Sequence, residues 1–281
     1  MIVTDTKPTG SMRRRSESHA SEAGRPVQAF VLAGARASGD ALAEARGVPS
    51  KAHIKIAGTS MVSRVLNALS ASAYTDEITL IGIEDHQTLQ SDEVWPRVRF
   101  VDGADGPASS VNHALNTTNI SGPVLVTTCD HALLTAAMIN SFLSDSVASG
   151  AELTVALARR DDIEAQQPDV TRTYLRFGDG EYSSCNLFCL NAPAAQKVVQ
   201  FWRSAEQDRK RPWRIAWRFG VIAALRILVG RPSLEQVFAI VSRRLGVEIR
   251  PVILPFAEAA IDVDTAEDLA LVERILLERI T

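Results

Sequence analysis

Three segments of this chain carry side chains that could do chemistry together. The run VLVTTCDHALLT ends an apolar stretch on Asp130, and AIDVDTAEDL sets Asp262 and Asp264 two residues apart just before a helical pattern. The third starts at an apolar strand running into Leu32-Ala33-Gly34-Ala35, with PSKAHIKIAG behind it, where Lys51 and Lys55 flank a short strand and Gly58 turns into a helix. Small residues after a strand let backbone N–H groups come close to phosphate oxygens, so the loop suits a phosphorylated ligand. It is not a regular glycine motif: neither G-x-G-x-x-G nor G-x-x-x-x-G-K-[ST] can be laid on it. Of the histidines, His131 is placed to approach a phosphate, whereas His53, His86 and His113 read as surface or packing residues, and none has a Ser or Cys partner for a triad.

Short apolar runs alternating with helical patterns must position these groups. Strands are expected at Val27–Ala33, Ile78–Ile83, Val98–Val101, Val124–Thr128 and Leu153–Leu157, with helices at Met61–Ser72, Val111–Asn116 and Ala136–Ser149. This alternation predicts an α/β three-layer sandwich, a mostly parallel Rossmann-like sheet covered on both faces. Right-handed crossovers then bring the loops after Ala33, Val101 and Thr128 to one edge, at the carboxyl ends of the strands, where such sheets bind ligands. Further on, TYLRFGDGEYSSCNLFCL predicts a hairpin about Asp179-Gly180 and another strand. A helical stretch follows from Pro193 to Leu245, broken at Pro212 and at Gly230 through Pro232. The end gives a strand, a short extended piece at Ile261–Val263 and a long helix with Thr265 as N-cap and Asp268 as its capping-box acid.

Composition narrows the class. The 281 residues, 46% of them hydrophobic, suffice for one large domain, read as 27–281 with a helical insertion at about 193–245. A net charge of -3 gives no global reason to expect nucleic acid. Residues 1–26 are polar, carry Arg13-Arg14-Arg15 and lack the apolar core of a secretory signal, so they read as a disordered leader. The odd set Cys129, Cys185 and Cys189 argues against a disulfide scaffold or a zinc site and fits a cytoplasmic protein.

Taken together, the three segments resemble the nucleotidyltransferases of the GT-A-like fold, the group that includes the molybdenum-cofactor, sugar-phosphate and methylerythritol-phosphate nucleotidyltransferases. Leu32-Ala33-Gly34 match the family's L-A-G-G opening, Lys51 its Pro-Lys lysine, and Gly58 with Met61-Val62 its helix entry. The family's loop arginine falls on Gly39, and Arg36 or Arg46 could supply that charge instead. VLVTTCDHALLT matches the strand whose final acid holds Mg2+, with Ala132 in place of the usual Pro, and DVDTAEDL resembles the ending D-x-D-T-P-E-D-L.

The resemblance implies an NTP cradled by Leu32, Ala33, Gly34, Ala35, Arg36 and Lys51, with Gly106, Ser109 and Ser110 of DGADGPASSVNHAL also near the nucleotide. Either serine could equally be the N-cap of its helix. It implies Mg2+ on Asp130 and Asp262, with Asp264 next in line, Lys51 and Asp130 as the catalytic pair, and Asn186 near the acceptor or metal. A phosphorylated acceptor would attack the α-phosphorus and release pyrophosphate.

The stretch RKRPWRIAWRFGVIAALRILVGRP crowds arginines beside tryptophans and aliphatic residues. Arg211 and Arg214 could grip an acceptor phosphate, residues 209–231 could lie peripherally on the inner face of an anionic membrane, or the helix could pack with a solvated basic side. Two other functional classes stay open. A GT-A glycosyltransferase would use Asp262-Val263-Asp264 as its acid-x-acid metal motif, and a non-catalytic nucleotide-binding protein would fit the changed loop at Ala35 and Gly39.

Overall fold

The computed structural model describes residues 26–35, 39–83, 98–168, 170, 172–207 and 231–279. Its strands are β1 (Val27–Leu32), β2 (Lys55–Ile56), β3 (Thr59–Ser60), β4 (Thr75–Ile81), β5 (Val98–Val101), β6 (Val124–Thr128), β7 (Leu153–Arg159), β8 (Leu175–Phe177), β9 (Gly180–Leu190) and β10 (Ile249–Ile253). Its helices are α1 (Ala41–Arg46), α2 (Met61–Ser70), α3 (Pro107–Thr117), α4 (Ala136–Ser149), α5 (Arg160–Gln166), α6 (Ala192–Gln207), α7 (Leu234–Leu245) and α8 (Ala266–Glu278).

The main sheet runs β10-β7-β9-β6-β1-β4-β5, with β8 paired to β9. β1 lies parallel to β4 and β6, β4 to β5, and β7 to β10. The reversed strand is β9, antiparallel to both β6 and β7. Alternation along β1 builds two cores: Ala29 and Val31 face the one shared with α2, α4 and α8, and Phe30 faces the one shared with α3, α6 and α7. The expected three-layer, mostly parallel sandwich is therefore the observed fold.

Some local bounds differ from expectation, among them the strand expected at Ile78–Ile83, which runs Thr75–Ile81. The helix expected from Val111 begins at Pro107, because proline is preorganised for the first helical position, where its missing N–H costs nothing. The β8–β9 loop consists of Gly178 and Asp179, since Phe177 pairs with Gly180. A tertiary contact accounts for the shift of one residue: Gly178 N–H donates to the Pro232 carbonyl at 2.9 Å, and the Asp179 carboxylate accepts from Leu234 N–H, at the start of α7, at 2.8 Å. The segment at 261–263 is extended but joins no strand ladder; instead Val263 N–H donates to the Asp130 carbonyl at 3.0 Å. At the head of α8 the capping box of Thr265 and Asp268 forms as its sequence predicts.

Candidate active site

The carboxyl ends of the four strands β1, β4, β5 and β6 form one ledge. Backbone hydrogen bonds carry the sheet past its formal ends: Ala33 N–H to Ile81 O, Gly82 N–H to Val101 O, and Cys129 N–H to Leu32 O, at 2.8 to 2.9 Å. Gly82 has φ +77, and a Cβ there would lie 3.0 Å from Gly34 Cα and 3.2 Å from Gly103 Cα. Three loops thus meet backbone to backbone, and Gly34 and Ala35 remain exposed on the ledge as a small-residue loop should.

Lys51 is the hub of the charged part. It opens a short 3-10 turn, Lys51–His53, which is anchored by buried Ala52, His53 and Ile54 and by a Ser50 Oγ to His53 Nδ1 contact of 3.0 Å. With its backbone fixed, Lys51 Nζ reaches Asp130 Oδ2 at 2.6 Å, Asp264 Oδ1 at 2.7 Å and the Val263 carbonyl at 3.3 Å. Burial pulls the Lys51 pKa down, but the two carboxylates outweigh it and hold it well above the usual lysine range. The other oxygen of Asp130, Oδ1, accepts from the Thr128 hydroxyl, so both oxygens of this carboxylate are directed.

Asp262 sits in a second, adjoining cluster. Its Oδ1 is ion-paired with the Arg172 guanidinium, and its Oδ2 accepts from Asn186 Nδ2 at 3.0 Å. Asn186 lies on β9 with φ 49, a left-handed conformation that asparagine tolerates better than most residues. Arg172 also faces Asp268 Oδ1 at 3.6 Å. Two basic side chains therefore offset part of the negative charge of four carboxylates: Lys51 between Asp130 and Asp264, and Arg172 between Asp262 and Asp268.

The structure thus gathers Lys51, Asp130, Asp262, Asp264 and Asn186, from four separate segments, into one place. The serines fare differently. Neither is an N-cap, because Gly106 occupies that position. Ser110 is buried, and its Oγ accepts from Ala104 N–H at 2.9 Å, locking the loop before α3, whereas Ser109 is half-buried. Arg46 ends α1 and is exposed; Arg36, Arg211, Arg214 and all but the last of residues 209–231 lie outside the described residues. Among the described residues no helix is long and apolar enough to cross a membrane. His131 is 1% exposed and cannot reach a phosphate; burial pushes its pKa down to about 4, against the pull of neighbouring Asp130. The Cys129 thiol, also buried, has its pKa raised, as expected for a packing residue and not for a nucleophile.

Sequence reasoning missed Arg172, Thr128, Gly82 and Gly103. Gly82 falls inside the strand expected at Ile78–Ile83, and a glycine within an apolar strand pattern, a mark of close backbone approach, was a usable signal for it. Arg172 had none, since its partner Asp262 is 90 residues away.

Residues 29–215 match the model of the MobA-like NTP transferase domain. A hypothetical transferase from Thermus thermophilus is similar in structure, with 33% identity, a TM-score of 0.75, and coverage of 87% of this chain and 100% of that one. At 13% identity, the 4-diphosphocytidyl-2C-methyl-D-erythritol synthase of Anaerococcus prevotii has a TM-score of 0.57, covering 90% of this chain and 96% of its own. CMP:2-keto-3-deoxy-manno-octonic acid synthetase, solved with CTP, has 13% identity and a TM-score of 0.56, covering 91% and 100%. These last two share the fold. No curated protein matches the chain.

Proposed function

The chain belongs to the family of MobA-like NTP transferase domains and is a nucleotidyltransferase, and we propose that it transfers a nucleoside monophosphate from CTP or GTP to a phosphorylated small-molecule or lipid-precursor acceptor. An acceptor phosphate oxygen attacks the α-phosphorus in line as the bond to pyrophosphate breaks, with no covalent enzyme intermediate. The observation that carries the reading is the position of Lys51 Nζ, fixed by Asp130 and Asp264, with Asp130 following Cys129, whose N–H bonds the Leu32 carbonyl where the small-residue loop begins. An ammonium so held offsets the charge that gathers on the departing pyrophosphate, and its cost of positioning is met before substrate arrives. CTP is the first nucleotide to test because one protein of shared fold was solved with it.

Asp130 and Asp262 would hold a Mg2+ ion, with Asp264 beside them. The donor set fits in its chemistry, being all carboxylate oxygen. Mg2+ accepts one or two carboxylates and takes its remaining ligands from water and substrate phosphates. When bound, it would supply positive charge that offsets the negative charge of the reacting phosphates.

The test is a pyrophosphate-release screen of four NTPs against sugar, polyol and lipid-precursor phosphates, with and without Mg2+. Release is expected from CTP or GTP, only with an acceptor phosphate and Mg2+ present. Asp130→Ala should lower turnover by about a hundredfold or more, and Ser109→Ala by only a few-fold. Consumption of a nucleotide-sugar without pyrophosphate release, or equal losses in the two variants, would contradict the proposal.

A further inference from the structure

We infer that Arg172 is a positioning residue for Asp262, an internal counter-cation that holds this carboxylate in the cation-free protein and yields it to a divalent cation. The inference rests on the assignment of Asp262 to Mg2+ made above. Three features of the cluster support it.

First, the pair is sheltered: the side chains of Arg172 and Asp262 are 13% and 20% exposed, so their attraction is weakly screened and a second cation at the same carboxylate must compete with the first. A guanidinium keeps its charge at every accessible pH, so the competition does not depend on protonation. Second, Arg172 has somewhere to go. Asp268 Oδ2 is fixed by the helix cap, accepting from Thr265 N–H at 2.9 Å and Thr265 Oγ1 at 2.8 Å, which leaves Oδ1 facing the guanidinium at 3.6 Å. Arg172 can tighten onto Asp268 as it releases Asp262, without being left a buried unpaired charge. Third, Asp262 does not depend on Arg172 for its orientation alone. Asn186 adopts a left-handed backbone and aims its amide at Oδ2, so the carboxylate stays directed when Oδ1 is given up.

An arginine that merely ties its loop to the sheet would behave differently. Its loss would lower stability equally with and without a divalent cation. If Arg172 and the cation compete, their effects are linked and reciprocal.

The experiment uses the full chain and Mn2+ as the probe, following free Mn2+ by electron paramagnetic resonance and Tm by thermal unfolding, without nucleotide. Arg172→Gln should bind Mn2+ about tenfold more tightly than the wild type, inside the range of 5- to 150-fold usual for coupled sites. Its Tm should be lower without metal and rise further on Mn2+ addition than that of the wild type. Placing Asp262→Asn beside Arg172→Gln should abolish the gain. Should Arg172→Gln fold poorly, Arg172→Lys serves: a lysine lacks the planar fork that spans two carboxylates, and Mn2+ should bind it about threefold more tightly. Equal Mn2+ affinity in wild type and variants overturns the inference while leaving the proposed function standing, as does a gain that survives Asp262→Asn. Absence of Mn2+ binding in every form overturns both the inference and the metal assignment.

Discussion

Lys51 takes its charge and its position from the same contacts. Its folded pKa is raised, so the stabilisation from Asp130 and Asp264 is fully present below the unfolded value of about 10.4 and lost only as pH rises through the higher folded value. The ammonium is charged throughout the neutral range and contributes no limb to a pH–rate profile there. Lys51→Met is expected to lower kcat by about a hundred- to a thousandfold, the usual cost of one preorganised electrostatic group, with the shape of the profile unchanged between about pH 6 and 9. Steady-state rates across that range check this; a loss under about tenfold would remove Lys51 from the chemistry. The match of Lys51 and Asp130 to a family pattern was legible in the sequence. Their mutual contact, and the third partner Asp264 at a separation of 213 residues, was not.

Elements deliver these residues by two routes, one local and one not. The bounds of α4 and the capping box of α8 agree with the sequence because caps and apolar periodicity act within a few residues. The ledge of strand ends depends instead on three loops meeting at Gly82. Gly82→Ala and Gly150→Ala both place a side chain at positive φ, +77 and +63, but nothing lies within 4 Å of a Cβ at Gly150. Each pays the left-handed penalty of about 1–2 kcal/mol, and Gly82→Ala pays a packing cost of about 1–3 kcal/mol more. Urea unfolding of the two variants should show Gly82→Ala the less stable by that margin; equal midpoints would mean the loops yield freely.

Over the whole molecule, stability should carry the signature of a buried neutral histidine. His131 has a folded pKa of about 4 against about 6.5 when unfolded, so the stability it contributes is present above pH 6.5 and lost as pH falls from there toward 4. One proton corresponds to a slope of up to about 1.4 kcal/mol per pH unit, steepest near the middle of that window, at about pH 5. The urea midpoint of the wild type should fall between about pH 6.5 and 5, and His131→Leu should flatten that fall; an unchanged slope would refute the assignment. The sequence by itself determined the alternation of strands and helices, their sandwich layering and the ends closed by local caps, because these follow from side-chain period and short-range hydrogen bonding. It also assigned Asp130 to the ligand edge, since that carboxylate follows the end of a buried strand by two residues. Only the tertiary structure decided that β9 runs antiparallel between β6 and β7, that Asn186 therefore faces Asp262, and that Arg172 holds the same carboxylate. Those contacts join segments far apart in the chain, and the order of strands in the sheet, not residue spacing, brings them within reach.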